Sequence, residues 1–208
     1  MIVVTGFEPF GGHPANPSEE IAKTVDGRVI AGQSVRAAIL PVHHAEAALA
    51  AARLLDEHAP EAVLHVGLAA GRARIAVERV AVNVMDYEHA DNAGYVARGE
   101  PCAADGPAAY FSTLPLAAIL AAFAREGIPS YLSNTAGTYL CNQTLYSTLH
   151  TIATGGRSTV AGFMHVPLSP AIVAASGLDQ PSMDPGLGVR AVEVALRVIA
   201  EHLASSNG

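Results

Sequence analysis

The chain has 208 residues and a formal charge of −7; half of it is hydrophobic and only 15% is charged. That balance excludes a disordered chain and is enough to bury a real core in one large domain. No cluster of Lys and Arg offers a surface to nucleic acid or to an anionic membrane, so neither is expected as a partner.

In chain order, "MIVVT" (1–5) reads as a strand, and no charged segment with a long apolar stretch marks a secretory signal. A helix is predicted over about 17–25, with Ser18 as its cap and the acids of "NPSEEIAK" in its first turn. Strands are predicted at 35–42, 62–67 and 75–84, with a helix over about 44–57. The stretch from about 86 to 113 is rich in Asp, Gly and Pro and has no clear periodicity, which suggests a functional or oligomer-forming excursion. Helices at 115–126, 141–153 and 186–203 alternate with strands at 130–134 and 159–166. The apolar run "LPLAAILAAFA" (114–124) is too short to span a bilayer. This alternation predicts an α/β chain, an open and mostly parallel twisted sheet with helices on both faces, forming one domain over 1–208. Two cysteines are too few for a disulfide framework, and with no signal segment they point to the reducing cytoplasm.

The first chemical signal is Cys141, in "SNTAGTYLCNQT", where a glycine-bearing loop leads into a helix. Leu145, Leu149 and Ile152 fall on one face of that helix, so the thiol belongs in its first turn. There the helix dipole favours a thiolate, and unpaired N–H groups can receive an anion. Position alone leaves packing open, because free cysteines are commonly buried. Cys102 has neither a helix entry nor a nearby base. Among nine histidines, His165 ends an apolar strand just before Pro167, on the rim where α/β sites form. His43, His44, His58, His150 and His202 fall in helix or loop patterns and read as surface residues. In "IAVERVAVNV" a single pleat would put Ala76, Glu78, Val80, Val82 and Val84 on one face, so Glu78 interrupts an apolar row. A buried carboxylate needs a partner: a histidine in a Cys–His–Glu relay, or Arg72 or Arg74 in a structural bridge. "GLAAGRAR" (67–74) lacks the marks of a phosphate loop, and "HHAE" (43–46) reads as a solvated helix start rather than as metal ligands. No metal and no cofactor are expected.

Together the segments "VTGFEPFGGHPANPSE", "GRARIAVERVAVNV", "DGPAAYFSTLP", "SNTAGTYLCNQTLY" and "AGFMHVPLSP" resemble, in order and over nearly the whole chain, the pyroglutamyl peptidase I family of cysteine peptidases. The resemblance implies removal of an N-terminal pyroglutamyl residue from peptides by Cys141, His165 and Glu78. It implies a lactam pocket walled by Phe7 and Phe10, with Leu68, Tyr139 and Leu140 beside them, and a homo-oligomer, commonly a tetramer. "YEHADN" (87–92) departs from the family: Glu88 stands where members carry an arginine associated with the oxyanion, and His89 replaces an isoleucine. Leu68 likewise replaces a glutamine. Compensation would have to come from another arginine, such as Arg79 or Arg98, or from the backbone N–H groups near Cys141. An acid beside a developing oxyanion hinders catalysis. A weakly active or non-catalytic binding protein, or an amidase of altered specificity, is therefore the alternative expectation.

Overall fold

Residues 1–177 and 179–206 are described by a computed structural model. In chain order the elements are β1 (Ile2–Phe7), α1 (Pro17–Val25), β2 (Val29–Ile30), β3 (Gln33–Leu40), α2 (Glu46–His58) and β4 (Ala62–Leu68). There follow β5 (Ile75–Glu78), β6 (Val80–Val82), β7 (Met85–Asp86), β8 (Arg98–Glu100), β9 (Ala109–Phe111) and α3 (Leu116–Arg125). The chain ends with β10 (Ser130–Ser133), α4 (Leu140–Thr154), β11 (Val160–Val166), α5 (Pro170–Ser176) and α6 (Pro185–Ser206).

Seven strands form the central sheet in the order β10-β5-β11-β4-β1-β3-β2. The pairs β11–β4, β4–β1, β1–β3 and β10–β5 are parallel; β5 runs antiparallel to β11, and β2 to β3. The mostly parallel α/β architecture follows from strands apolar on both sides: every residue of β1 and β4 is buried. One core layer joins Val4, Leu64, Val66, Val77 and Met164 to α1, α3 and α6. The other joins Val3, Val63, Ala161 and Phe163 to α2 and α4. Among the described residues no helix is long and apolar enough to cross a membrane.

Two local expectations are corrected. The cap of α1 is Asn16, not Ser18: Asn16 has extended backbone, its side chain accepts from Ser18 N, and Pro17 takes the first helical position, where a missing N–H costs nothing. The Ser18 hydroxyl instead accepts from Phe7 N and donates to Asn16 Oδ1, tying the end of β1 to the helix. The stretch 75–84 is two strands rather than one. At Arg79 the chain leaves the central sheet: its N–H donates to Ser133 O, and its carbonyl accepts from Ser112 N. β6 then pairs with β9, so Val80 and Val82 do not continue the Glu78 row. The excursion from 86 to 113 supplies β8 and β9, which pair in two short ladders with β7 and β6 at its entrance.

Candidate active site

β1, β4 and β11 run parallel, so Phe7, Leu68 and His165 arrive together at the carboxyl rim of the sheet. The antiparallel pairing of β5 with β11 sets Glu78 opposite Phe163 and Ala76 opposite His165. Glu78 and His165 are therefore diagonal neighbours on one face, within reach of their side chains. His165 Nδ1 lies 2.8 Å from Glu78 Oε1. Facing a carboxylate, that nitrogen carries the proton and donates it, which leaves Nε2 as an acceptor.

Arg72 joins the same oxygen: its Nη1 donates to Glu78 Oε1 at 2.7 Å, and its Nη2 to Thr135 O at 3.4 Å. The histidine and arginine weighed as rival partners of Glu78 thus both bind it, while Arg74 lies over the Tyr131 ring instead. Glu78 is fully buried, and its Oε2 has no partner among the described residues. Burial alone would raise its pKa, but the bond and charge of His165, with help from Ser133 and Arg72, hold it below the usual range.

Cys141 sits in the first turn of α4, as expected, with its sulfur over Gly67 of β4. Gly67 pairs with His165 on the adjacent strand, which brings thiol and imidazole to neighbouring positions. A Cβ at Gly67 would lie 3.0 Å from Cys141 Sγ and 2.7 Å from Phe163 Cζ, so only glycine leaves the space both groups occupy. The helix dipole that favours a thiolate is opposed by the thiol's surroundings. Burial, then the Glu78 charge, pushes the thiol up to about 12, against the opposing pull of Arg72 and the cysteine's own backbone N–H. Burial likewise lowers the His165 pKa; Glu78 opposes that shift, and Arg72 adds to it. No hydrogen bond links Cys141 to His165 among the described residues, and burial shifts both groups toward their neutral forms.

Phe7, Phe10, Leu68, Tyr139 and Leu140, the residues expected at the substrate, line one slot with Cys141. Asn16 and Val42 complete it, and neither was singled out from the sequence. Asn16 is visible in the "NPSEE" cap pattern, whereas nothing in the sequence brings Val42 to the rim. The slot's cavity volume is about 10 Å³, about one water's worth, with Phe10 and Tyr139 ring centroids 6.0 Å apart. Glu88 does not line this slot; it faces an adjoining cavity with His89 and Arg98. Arg79 is exposed. The cation at the Cys–His–Glu group is Arg72.

The remaining candidates serve structure. Cys102 Sγ reaches Val82 O at 3.7 Å, and burial pushes its thiol up to about 11. Of the histidines read as surface residues only His202 is exposed. His150 meets Tyr110 Oη at 3.0 Å. His43, His44 and Asp91 place possible ligand atoms within 4.8 Å of one another. The Asp91 carboxylate accepts from the backbone N–H of His44, Ala93 and Tyr95 and pairs with His44 Nδ1, so it locks a turn.

The pyroglutamyl peptidase family model matches residues 1–202. The chain belongs to the pyroglutamyl peptidase family. It is 44% identical over 205 residues to the pyrrolidone-carboxylate peptidase of Pyrococcus furiosus, covering 97% of this chain and 99% of the relative. The Deinococcus radiodurans pyrrolidone-carboxylate peptidase is 45% identical over 208 residues, covering 99% and 95%. The structure of a mutant pyrrolidone carboxyl peptidase from Pyrococcus furiosus superposes with a TM-score of 0.94 at 43% identity, over 97% of this chain and 99% of that one. The protein is thus a hydrolase of the pyroglutamyl peptidase class, on a fold shared along nearly its full length.

Proposed function

We propose that Cys141, His165 and Glu78 hydrolyse the bond that follows an N-terminal pyroglutamyl residue, through a thioester acyl-enzyme. The observation that carries this reading is the bond from His165 Nδ1 to Glu78 Oε1, which leaves Nε2 as the acceptor, on a histidine whose register partner Gly67 lies under the Cys141 sulfur beside an apolar slot. Glu78 fixes the tautomer and supports the imidazolium when it forms. His165 Nε2 takes the thiol proton as Sγ attacks the pyroglutamyl carbonyl carbon. The oxyanion meets the unpaired N–H groups at the start of α4. His165 then protonates the departing amine and the C–N bond breaks. A water, deprotonated by the same nitrogen, cleaves the thioester and releases pyroglutamate.

The lactam is flat and uncharged, which suits walls of Phe7, Phe10 and Leu140. In the resting slot the rings of Phe10 and Tyr139 must part to admit it. Glu88 lines the adjoining cavity rather than the slot, which favours hydrolysis over a non-catalytic binding role.

The test offers the purified enzyme a pyroglutamyl amide reporter and an alanyl one. Only the pyroglutamyl compound is expected to turn over. Cys141→Ala abolishes turnover, and Glu78→Gln lowers kcat by about 10²- to 10⁴-fold, the range for a disabled base or its orienting partner. Full activity in Cys141→Ala sinks the reading.

A further inference from the structure

A cavity of about 540 Å³ shares Phe10 and Tyr139 with the Cys141 slot, so the two spaces adjoin across those rings. Their linings differ in kind. The slot is apolar apart from Asn16, whose amide already donates to Glu8 O and accepts from Ser18. The cavity carries Asp86, Glu88, His89 and Arg98. Asp86 and Arg98 are register partners across the β7–β8 ladder, but among the described residues no ion pair joins them; Arg98 Nη1 donates to Tyr87 O at 3.3 Å. Glu88 is exposed, and among the described residues its carboxylate has no hydrogen bond and no ion pair. Two carboxylates against one guanidinium leave this concave site, beside the nucleophile's slot, with a net negative charge.

We propose that this cavity receives the leaving peptide, and that Glu88 selects a cationic side chain on the first or second residue after the pyroglutamate. The proposal rests on the reading that Cys141 attacks the pyroglutamyl carbonyl. An uncharged lactam fills the apolar slot, and everything beyond the scissile bond must leave it for adjoining space. The volume suits a portion of peptide about two residues long. A Lys or Arg side chain can run its apolar stem along Tyr139 and bring its head to the free carboxylate. Charge at such a rim acts through the encounter and the orientation of substrate, so it is read in kcat/KM and is screened by salt.

The measurement compares kcat/KM for three tripeptide amides, pyroglutamyl-lysyl-alanine, pyroglutamyl-glutamyl-alanine and pyroglutamyl-alanyl-alanine, amidated to remove the terminal carboxylate. At low ionic strength the lysyl substrate is expected to exceed the glutamyl one by about 5- to 10-fold, within reach of one or two partly screened charge contacts. High salt narrows that ratio, Glu88→Gln brings it close to unity, and Glu88→Lys inverts it. Equal values for the two substrates in the parent enzyme, or a ratio that Glu88→Lys leaves unmoved, overturn the proposal. The alanyl substrate separates the two readings: if it alone shows normal turnover, the catalytic reading stands and the subsite falls. If none of the three is hydrolysed, the catalytic reading fails, and calorimetric binding of the lysyl and glutamyl peptides to Cys141→Ala decides the subsite. Tighter lysyl binding upholds it; equal binding overturns it.

Discussion

Burial raises the Cys141 thiol to about 12 and lowers the His165 imidazole below its ordinary 6.5, so both shifts favour a neutral pair over thiolate and imidazolium in the resting enzyme. Proton transfer then belongs to the attack itself, with His165 as general base. Activity needs His165 without its proton, so kcat/KM is expected to fall only as pH drops through a midpoint below 6.5. Iodoacetamide should label Cys141 in the free enzyme more slowly at pH 7 than it labels a simple thiol of pKa near 8.5, since lost thiolate outweighs the gain in intrinsic nucleophilicity. The labelling rate, followed by mass spectrometry of the Cys141 peptide, should climb with pH without a plateau below the alkaline range. Fast labelling that is already flat at pH 5 identifies a preformed ion pair and rules this description out. Cys141, His165 and Glu78 were legible in the sequence because each breaks a local pattern: a thiol at a helix entry, a histidine at a strand end, an acid in an apolar row. Arg72 was legible only as one of two arginines able to reach Glu78; the choice between it and Arg74 depends on the turn between β4 and β5, which no periodicity encodes.

At the scale of elements, the site depends on β5 entering the sheet against the direction of β11. That reversal makes Glu78 and His165 diagonal neighbours, and the glycine at position 67 lets α4 lower Cys141 onto the same face. Gly67→Ala is expected to drive a methyl into Phe163 and the Cys141 sulfur, costing about 1–3 kcal/mol of stability as other overpacked cores do. Urea unfolding reads that loss. Because the displaced atoms belong to the site, kcat/KM should fall by at least ~10²-fold even where the protein is fully folded. A variant that keeps parental kcat/KM shows that the close approach is dispensable. The long β and α elements were legible because each keeps one period over several residues. The break at Arg79 was hidden because β6 continues the same alternation in a different ladder, and the two-residue strands β2 and β7 are too short to show a period. α5 carries readable end signals in Ser169, Pro170 and Gly177, and its seven residues fall short of a full apolar stripe.

Over the whole molecule, the layer holding the site is fastened to the sheet by a histidine that takes no part in the chemistry. His65 on β4 is fully buried, 2.7 Å from Thr5 Oγ1 on β1 through Nδ1 and 3.0 Å from Thr148 Oγ1 on α4 through Nε2. Among the described residues no acid partners it, and burial lowers its pKa to about 3. Between about pH 3 and 6.5 the unfolded chain binds a proton there that the folded chain refuses. Stability therefore rises with pH across this window. The contribution is fully present above 6.5 and is lost as pH falls toward 3. It amounts to on the order of 5 kcal/mol over the window. His165, lowered in the same direction, adds to the trend. His65→Gln is expected to lower stability at pH 7, because the glutamine cannot reproduce both threonine contacts, and to flatten the pH dependence. Urea unfolding of both proteins at several pH values from 7 down to 4 measures this directly. The gap between parent and variant should shrink steadily as pH falls, whereas a gap that stays constant shows that His65 is charged in the folded protein and that its burial costs far less than the geometry implies.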